Sequence, residues 1–131
     1  MATTKSEERV IPALVRLRQL ALLEHDWDSY GGDSPTPAAI GAAERVVETV
    51  TQTIAKSTSL PAEPRVIVAR GDGGIIMEWG SPRAALEIHV EPNGRLGYLL
   101  DETTDGDSRY TERDEAPWAE IEKHLAEVMM S

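Results

Sequence analysis

Residues 24–37, EHDWDSYGGDSPTP, hold the densest set of side chains able to do chemistry. His25 stands beside Asp26, Asp28 follows two positions on, and Trp27 and Tyr30 surround them. A His with two carboxylates is raw material for general acid–base work, provided a substrate comes within hydrogen-bond reach. No companion motif specifies a substrate pocket. Asp side chains in a turn also accept backbone N–H bonds and so fix its shape. Trp and Tyr each join a large apolar body to one polar tip, which suits the edge of a core. The expectation is a structural corner. Trp27, Asp28 and Tyr30 are the residues that would present it to a partner, because aromatic side chains dominate such contacts.

A second acidic segment invites a metal reading. In DETTDGDSRYTE, Asp101, Asp105, Gly106 and Glu112 occupy positions one, five, six and twelve of a calcium-binding EF-hand loop. Asp107 would offer its carbonyl at position seven. Thr103 replaces the Asp or Asn of position three, Ser108 replaces the usual apolar eighth residue, and RLGYLL reads as a strand where a helix should enter. The segment is therefore expected to be an acidic solvated loop, with no metal or other cofactor. Asp105, Asp107 and Glu112 are its candidate partner-binding residues.

Other chemistries have less support. Glu78 and Glu87 flank one turn and approach each other if their strands pair, but carboxylates do acid–base work only when one has its pKa raised. His25, His89 and His124 lack HxxxH spacing, and the chain has no Cys for a thiolate site or nucleophile. No G-x-S-x-G and no GxxxxGK[ST] occurs, so the simplest hydrolase and NTPase readings fall away. The RGD at residues 70–72 reads as a hairpin turn.

The elements that position these residues follow from period. Ser6 can cap a first helix over about Ile11–Leu23, with Glu7 and Glu8 favouring its dipole and Pro12 tolerated near the start. Val10, Leu14, Leu17 and Ala21 form its stripe, widened by Ala13 and Leu20. Thr36 is the expected N-cap of a second helix and Pro37 its first residue. Ile40, Ala43, Val47, Val50 and Ile54 recur there at steps of three and four, a narrow seam that SLPAEP ends. With helix one covering that seam, Val46 is expected to stay exposed and to serve a homodimer.

The period then becomes two. Strands are expected at Arg65–Ala69, Gly74–Trp79, Ala84–Val90 and Arg95–Leu100, joined by RGDGG, SPR and EPNG turns. Ile75, Met77 and Trp79 share one face, as do Ala84, Leu86, Ile88 and Val90; Ile76, Glu78, Glu87 and His89 take the other. A last helix begins near Asp114–Pro117 with Trp118, Ile121, Leu125 and Val128 inward. The order predicts one α+β domain over residues 1–131: two N-terminal helices, a four-stranded antiparallel meander and a C-terminal helix, with helices on one sheet face.

WDSYG, followed by Pro and a helix, and GGIIMEW further on resemble a group of small, mostly uncharacterised bacterial proteins. Those share a W-D-G-Y-G-like corner after a Leu-rich helix and a G-G-I-x-L-E-W-like strand. The resemblance covers roughly residues 20–100 and implies an α+β fold without an established activity. The chain departs from the pattern with Ser29 where Gly is usual and Gly32 where Ala is usual.

Charge narrows the partners. Residues 1–71 carry nine acidic and eight basic side chains, whereas residues 72–131 carry fourteen and five, so nearly all of the −10 lies in the second half. Such a field repels phosphate backbones and anionic membranes and suits a basic protein partner; solubility alone is the plain alternative. The N-terminus lacks a signal-peptide pattern and no stretch approaches the ~20 apolar residues of a membrane span, so a cytoplasmic protein is expected. The functional expectation is a non-enzymatic protein-binding domain of antitoxin, immunity or other inhibitory type. The alternatives are an acidic nucleic-acid mimic and a small hydrolase using the Asp-rich corner.

Overall fold

A computed structural model describes residues 12–54 and 63–130. The expected Ser6 cap, Val10, Ile11 and most of SLPAEP lie outside the described residues. Helix α1 spans Pro12–Ala21 and α2 Pro37–Thr49, the latter running into a π-helical turn at Val50–Ile54. Five strands follow: β1 Val66–Ala69, β2 Ile75–Gly80, β3 Ala84–Val90, β4 Leu96–Thr104 and β5 Asp107–Arg113. Helix α3, Trp118–Met130, closes the described chain. The strands form one antiparallel sheet in sequence order, each paired with the next. The fold is α+β, with five strands where the sequence predicted four.

The fifth strand comes from the segment expected to be a loop. Asp105 and Gly106 have φ of 51° and 86°, and Thr104 pairs with Asp107 on either side of them. Positive φ at both central residues is the type I′ turn, whose twist matches that of paired strands, and Asp-Gly is among its preferred sequences. The turn extends β4 four residues past the expected end at Leu100 and makes β5 from Asp107–Arg113. It also removes the EF-hand reading. Asp101 faces Tyr110 and Glu112 faces Leu99 across a ladder, so these carboxylates do not encircle an ion.

Alternation decides which face the helices take. Ile75, Met77, Trp79, Leu86, Ile88, Val90, Tyr98 and Leu100 are buried on one side, with Ile121, Leu125, Val128 and Met129 of α3 above them. Helix α3 packs on β2, β3 and β4; α2 packs on β2 and β3; α1 packs on α2 and β1. All three helices lie on the one face. A buried aliphatic or aromatic side chain contributes about 1.5–3 kcal/mol relative to exposure, so this layer supplies most of the driving force.

Two details differ from expectation because α2 meets two neighbours. A narrow seam would serve α1 alone, but α2 also lies on the sheet and needs a wider apolar face. Val46 is consequently fully buried with Ala39, Ala42, Ala43, Val47 and Val50, while Ile40 is half-buried. Helix α2 therefore offers no Val46 stripe to a second copy. On α1 the buried line is Ala13, Leu17 and Leu20, and Ala21 is exposed.

The cap on α2 is as expected and does more. Thr36 Oγ1 accepts from the Ala39 N–H at 3.0 Å and donates to the Pro92 carbonyl at 2.5 Å. One side chain thus starts the helix and ties it to the β3–β4 turn. A distant carboxylate serves α1 similarly: Glu63 accepts the Ala13 N–H at 2.9 Å, where negative charge suits the positive end of the helix dipole. Among the described residues no helix is long and apolar enough to cross a membrane.

Candidate interaction surface

The face of the sheet away from the helices is open. Because partners in an antiparallel ladder share a face, the register sets its side chains in transverse rows. One row runs Val66, Glu78, Glu87, Leu99, Glu112 across all five strands. The next two run Val68, Ile76, His89, Gly97, and Gly80, Ala85, Asp101, Tyr110. Glu78 and Glu87, which the sequence brought only to opposite sides of a turn, are direct cross-strand neighbours. Directly opposed like charges destabilise a sheet by about 0.2–1 kcal/mol.

The neighbours of these carboxylates moderate that cost unevenly. Arg65 Nη2 donates to Glu78 Oε1 at 3.3 Å, and its guanidinium lies over Gly80, where an added Cβ would come within 2.8 Å of Arg65 Nε. His89 Nε2 meets Glu87 Oε1 at 2.7 Å. Glu112 has no Lys or Arg within ion-pair distance among the described residues, and one buried oxygen of Asp101, Oδ1, has no hydrogen-bond partner there. Val68 and Tyr110 add exposed apolar surface to the same face, at 42% and 65% exposure.

The WDSYGG corner sits at one end of the sheet. Its chain turns left-handed at Asp26, Ser29 and Gly31, with φ of 64°, 64° and 77°. Asp28 Oδ1 accepts from the Tyr30 and Gly32 N–H groups, both at 2.9 Å, and Asp26 Oδ1 accepts from Gly31 N–H at 2.6 Å. The N–H groups of Tyr30 and Gly32 hold the Asp28 carboxyl below its usual range, since they stabilise the ionised form. Trp27 is half-buried and its Nε1 donates to the Asp33 carbonyl at 2.8 Å. The corner docks on the β1–β2 turn, where Asp33 N–H donates to Gly71 O and Thr36 N–H to Gly73 O, at 2.8 and 3.0 Å.

This geometry sorts the residues singled out from sequence. The oxygens of Asp26 and Asp28 that face the loop are occupied by backbone N–H groups, and His25 pairs with Asp33 at 3.3 Å in the open, so the corner has the bonding of a structural turn. Tyr30 is the aromatic residue of the corner that projects, at 92% exposure, while Trp27 is half-buried. Asp105 and Asp107 lie at the opposite end of the sheet, where β4 alone extends about 26 Å along the strand direction. Glu112 lies between, on the open face. The two predicted clusters, Trp27, Asp28, Tyr30 and Asp105, Asp107, Glu112, therefore do not form one site.

Sequence reading missed a polar network under α3. Tyr98 is buried, and its hydroxyl donates to Glu120 Oε2 at 2.5 Å and lies 3.2 Å from His124 Nε2. Arg113 binds the other oxygen of Glu120, and His124 Nδ1 lies 3.0 Å from Glu127 Oε1. Burial, then the hydrogen bond to Glu120, pushes the phenol up to about 12. A phenol held neutral and donating to a carboxylate is a brace between β4 and α3, unsuited to nucleophilic attack. Its trace in the sequence is the alternation of Leu96, Tyr98 and Leu100 along β4.

Shallow clefts of about 190, 200 and 290 Å³ lie among the described residues, and the second borders this network at Glu127. All are smaller than the ~300–1,000 Å³ usual for small-molecule sites. Comparison with protein-family models, with curated proteins and with solved structures finds no match for this chain.

Proposed function

We propose that the protein is a non-enzymatic binding domain, acting in the cytoplasm, whose open sheet face receives a basic segment of another protein. The observation that carries this reading is the transverse row in which Glu78 directly faces Glu87 and Glu112 continues the line beyond Leu99. Opposed carboxylates on neighbouring strands cost stability in the free domain. A Lys- or Arg-bearing segment laid across them reverses the sign of that interaction. The flanking Val68, Ile76, Leu99 and Tyr110 supply the apolar contact that charge alone lacks. Charges of this kind mainly speed encounter and set specificity. An inhibitory partner of antitoxin or immunity type is the form of this function we favour, because a small acidic domain suits masking of a basic protein. As a copy of a phosphate backbone the row is poor, interrupted by Leu99 and flanked by Arg65.

Chemical cross-linking in the native cell, followed by identification of the captured protein, tests the proposal. The expected partner is basic, and its association with the purified domain slows steeply as salt rises past the ~8 Å screening length of physiological buffer. Replacing Glu78, Glu87 and Glu112 by Gln should slow association about tenfold or more and leave the domain folded. An association rate indifferent to both salt and that triple substitution would refute the reading.

A further inference from the structure

The two edges of the sheet are unlike. β1 is four residues long, whereas β5, DSRYTER, runs for seven in unbroken register with β4. Natural sheets blunt exposed edges with charged side chains, Lys above all, and with Pro, bulges or covering segments. β5 has no Pro and no bulge, its two acidic and two basic residues balance in charge, and among the described residues nothing pairs along its outer side.

The direction of its main-chain groups can be worked out. Thr103 N–H donates toward β3, to Arg83 O at 2.9 Å, and Leu96 O accepts from Ala116 N–H on the β5 side at 2.8 Å. Even-numbered residues of β4 therefore turn their main-chain groups to β5. In an antiparallel ladder hydrogen-bonded and non-hydrogen-bonded pairs alternate, so Arg109 and Thr111, opposite Glu102 and Leu100, bond inward. Ser108, Tyr110 and Glu112 direct theirs at the open edge.

We infer that a second copy of this chain pairs antiparallel along β5, about a two-fold axis at Tyr110, to make a continuous ten-stranded sheet. In this register Asp107 faces the second copy's Arg113, Ser108 faces Glu112, Arg109 faces Thr111 and Tyr110 faces Tyr110. The Asp107–Arg113 contact occurs twice, as a two-fold interface requires. Arg113 already binds Glu120, but its side chain is 48% exposed and a guanidinium has five donors. The neighbouring registers that keep both sheets the same way up are worse. Centring on Thr111 sets Arg109 against Arg113, and centring on Arg109 sets that residue against itself. Of these three registers, the one centred on Tyr110 places opposite charges together with no like charges face to face, and it pairs the whole of β5.

This inference does not rest on the function proposed for the open face: it is argued from the main-chain groups along the edge of β5, although Tyr110 and Glu112 belong to both surfaces. A seven-residue strand pair is at the low end of interface sizes, so dissociation on the order of 10 µM is expected. Sedimentation equilibrium from about 1 to about 500 µM should show the mass rising from monomer to dimer. Asp107→Arg and Arg113→Asp should each weaken self-association about tenfold or more. An equimolar mixture of the two should associate again, because each then faces its complement. Tyr110→Cys, the sole cysteine of that variant, should oxidise to a disulfide-linked dimer; Cα atoms of a hydrogen-bonded pair stand about 5.5 Å apart, within disulfide reach. A monomer at the highest concentration would overturn the inference. So would failure of both the charge-swap mixture and the Tyr110→Cys bridge in folded protein.

Discussion

Replacing Tyr98 by Phe deletes one hydroxyl from the network that braces α3 to β4 and leaves the ring in place. The ring is buried and stacks at a tilt on His124, centroids 4.8 Å apart, so packing should survive. What is lost is the 2.5 Å bond from the hydroxyl to Glu120 and the 3.2 Å contact with His124. Hydrogen bonds to charged groups contribute about 1.5–3 kcal/mol. Glu120 keeps Arg113 and a quarter of its side-chain surface in water, so the low end applies, about 1.5 kcal/mol. For a chain of 131 residues that corresponds to a fall of about 5 °C in melting temperature.

The assay is urea unfolding with an unchanged slope, repeated across pH. The Tyr98 hydroxyl, with Arg113 behind it, holds Glu120 below the usual carboxylate range. A depressed carboxylate contributes fully above its unfolded pKa, about 4.3, and its contribution fades as pH falls through the folded value. The gap between wild type and Tyr98→Phe should therefore narrow below about pH 4. At the alkaline end the sign reverses. Tyr98, raised from 10.0 to about 12, stabilises below its unfolded pKa, and that contribution is lost as pH rises through about 12. A Tyr98→Phe protein as stable as wild type at pH 7, or a gap that stays constant into acid, would refute the brace.

The corner gives two further expectations. Ser29→Gly should raise stability by about 0.5 kcal/mol and Gly31→Val lower it by about 1–2 kcal/mol, since both residues are left-handed and only glycine adopts that backbone without penalty; thermal melts of the two variants should shift in opposite directions. Trp27→Ala should cost about 2 kcal/mol, less than the ~3–5 of a fully buried aromatic, because Trp27 is half-buried and holds Asp33 through one bond. An unchanged denaturation midpoint would show that Trp27 does not hold the corner.

Local rules were enough where a signal depends on near neighbours. Thr36-Pro37 is legible as a helix start because an N-cap acts within three residues, and Ile75, Met77 and Trp79 as a buried line because side chains alternate along a strand. The type I′ turn at Asp105-Gly106 was equally local. It was missed because the charge of the surrounding segment suggested a solvated loop, and backbone twist outweighed charge. Nothing local could bury Val46, since its exposure depends on α2 lying against the sheet as well as α1. The same holds for function. That Glu78 stands opposite Glu87, that Tyr98 reaches Glu120 and His124, and that the corner and the Asp105 turn lie at opposite ends of the sheet are matters of register and packing. Composition carries the total charge, but register decides which carboxylates share a row. A slip of one residue would move each of them to the other face.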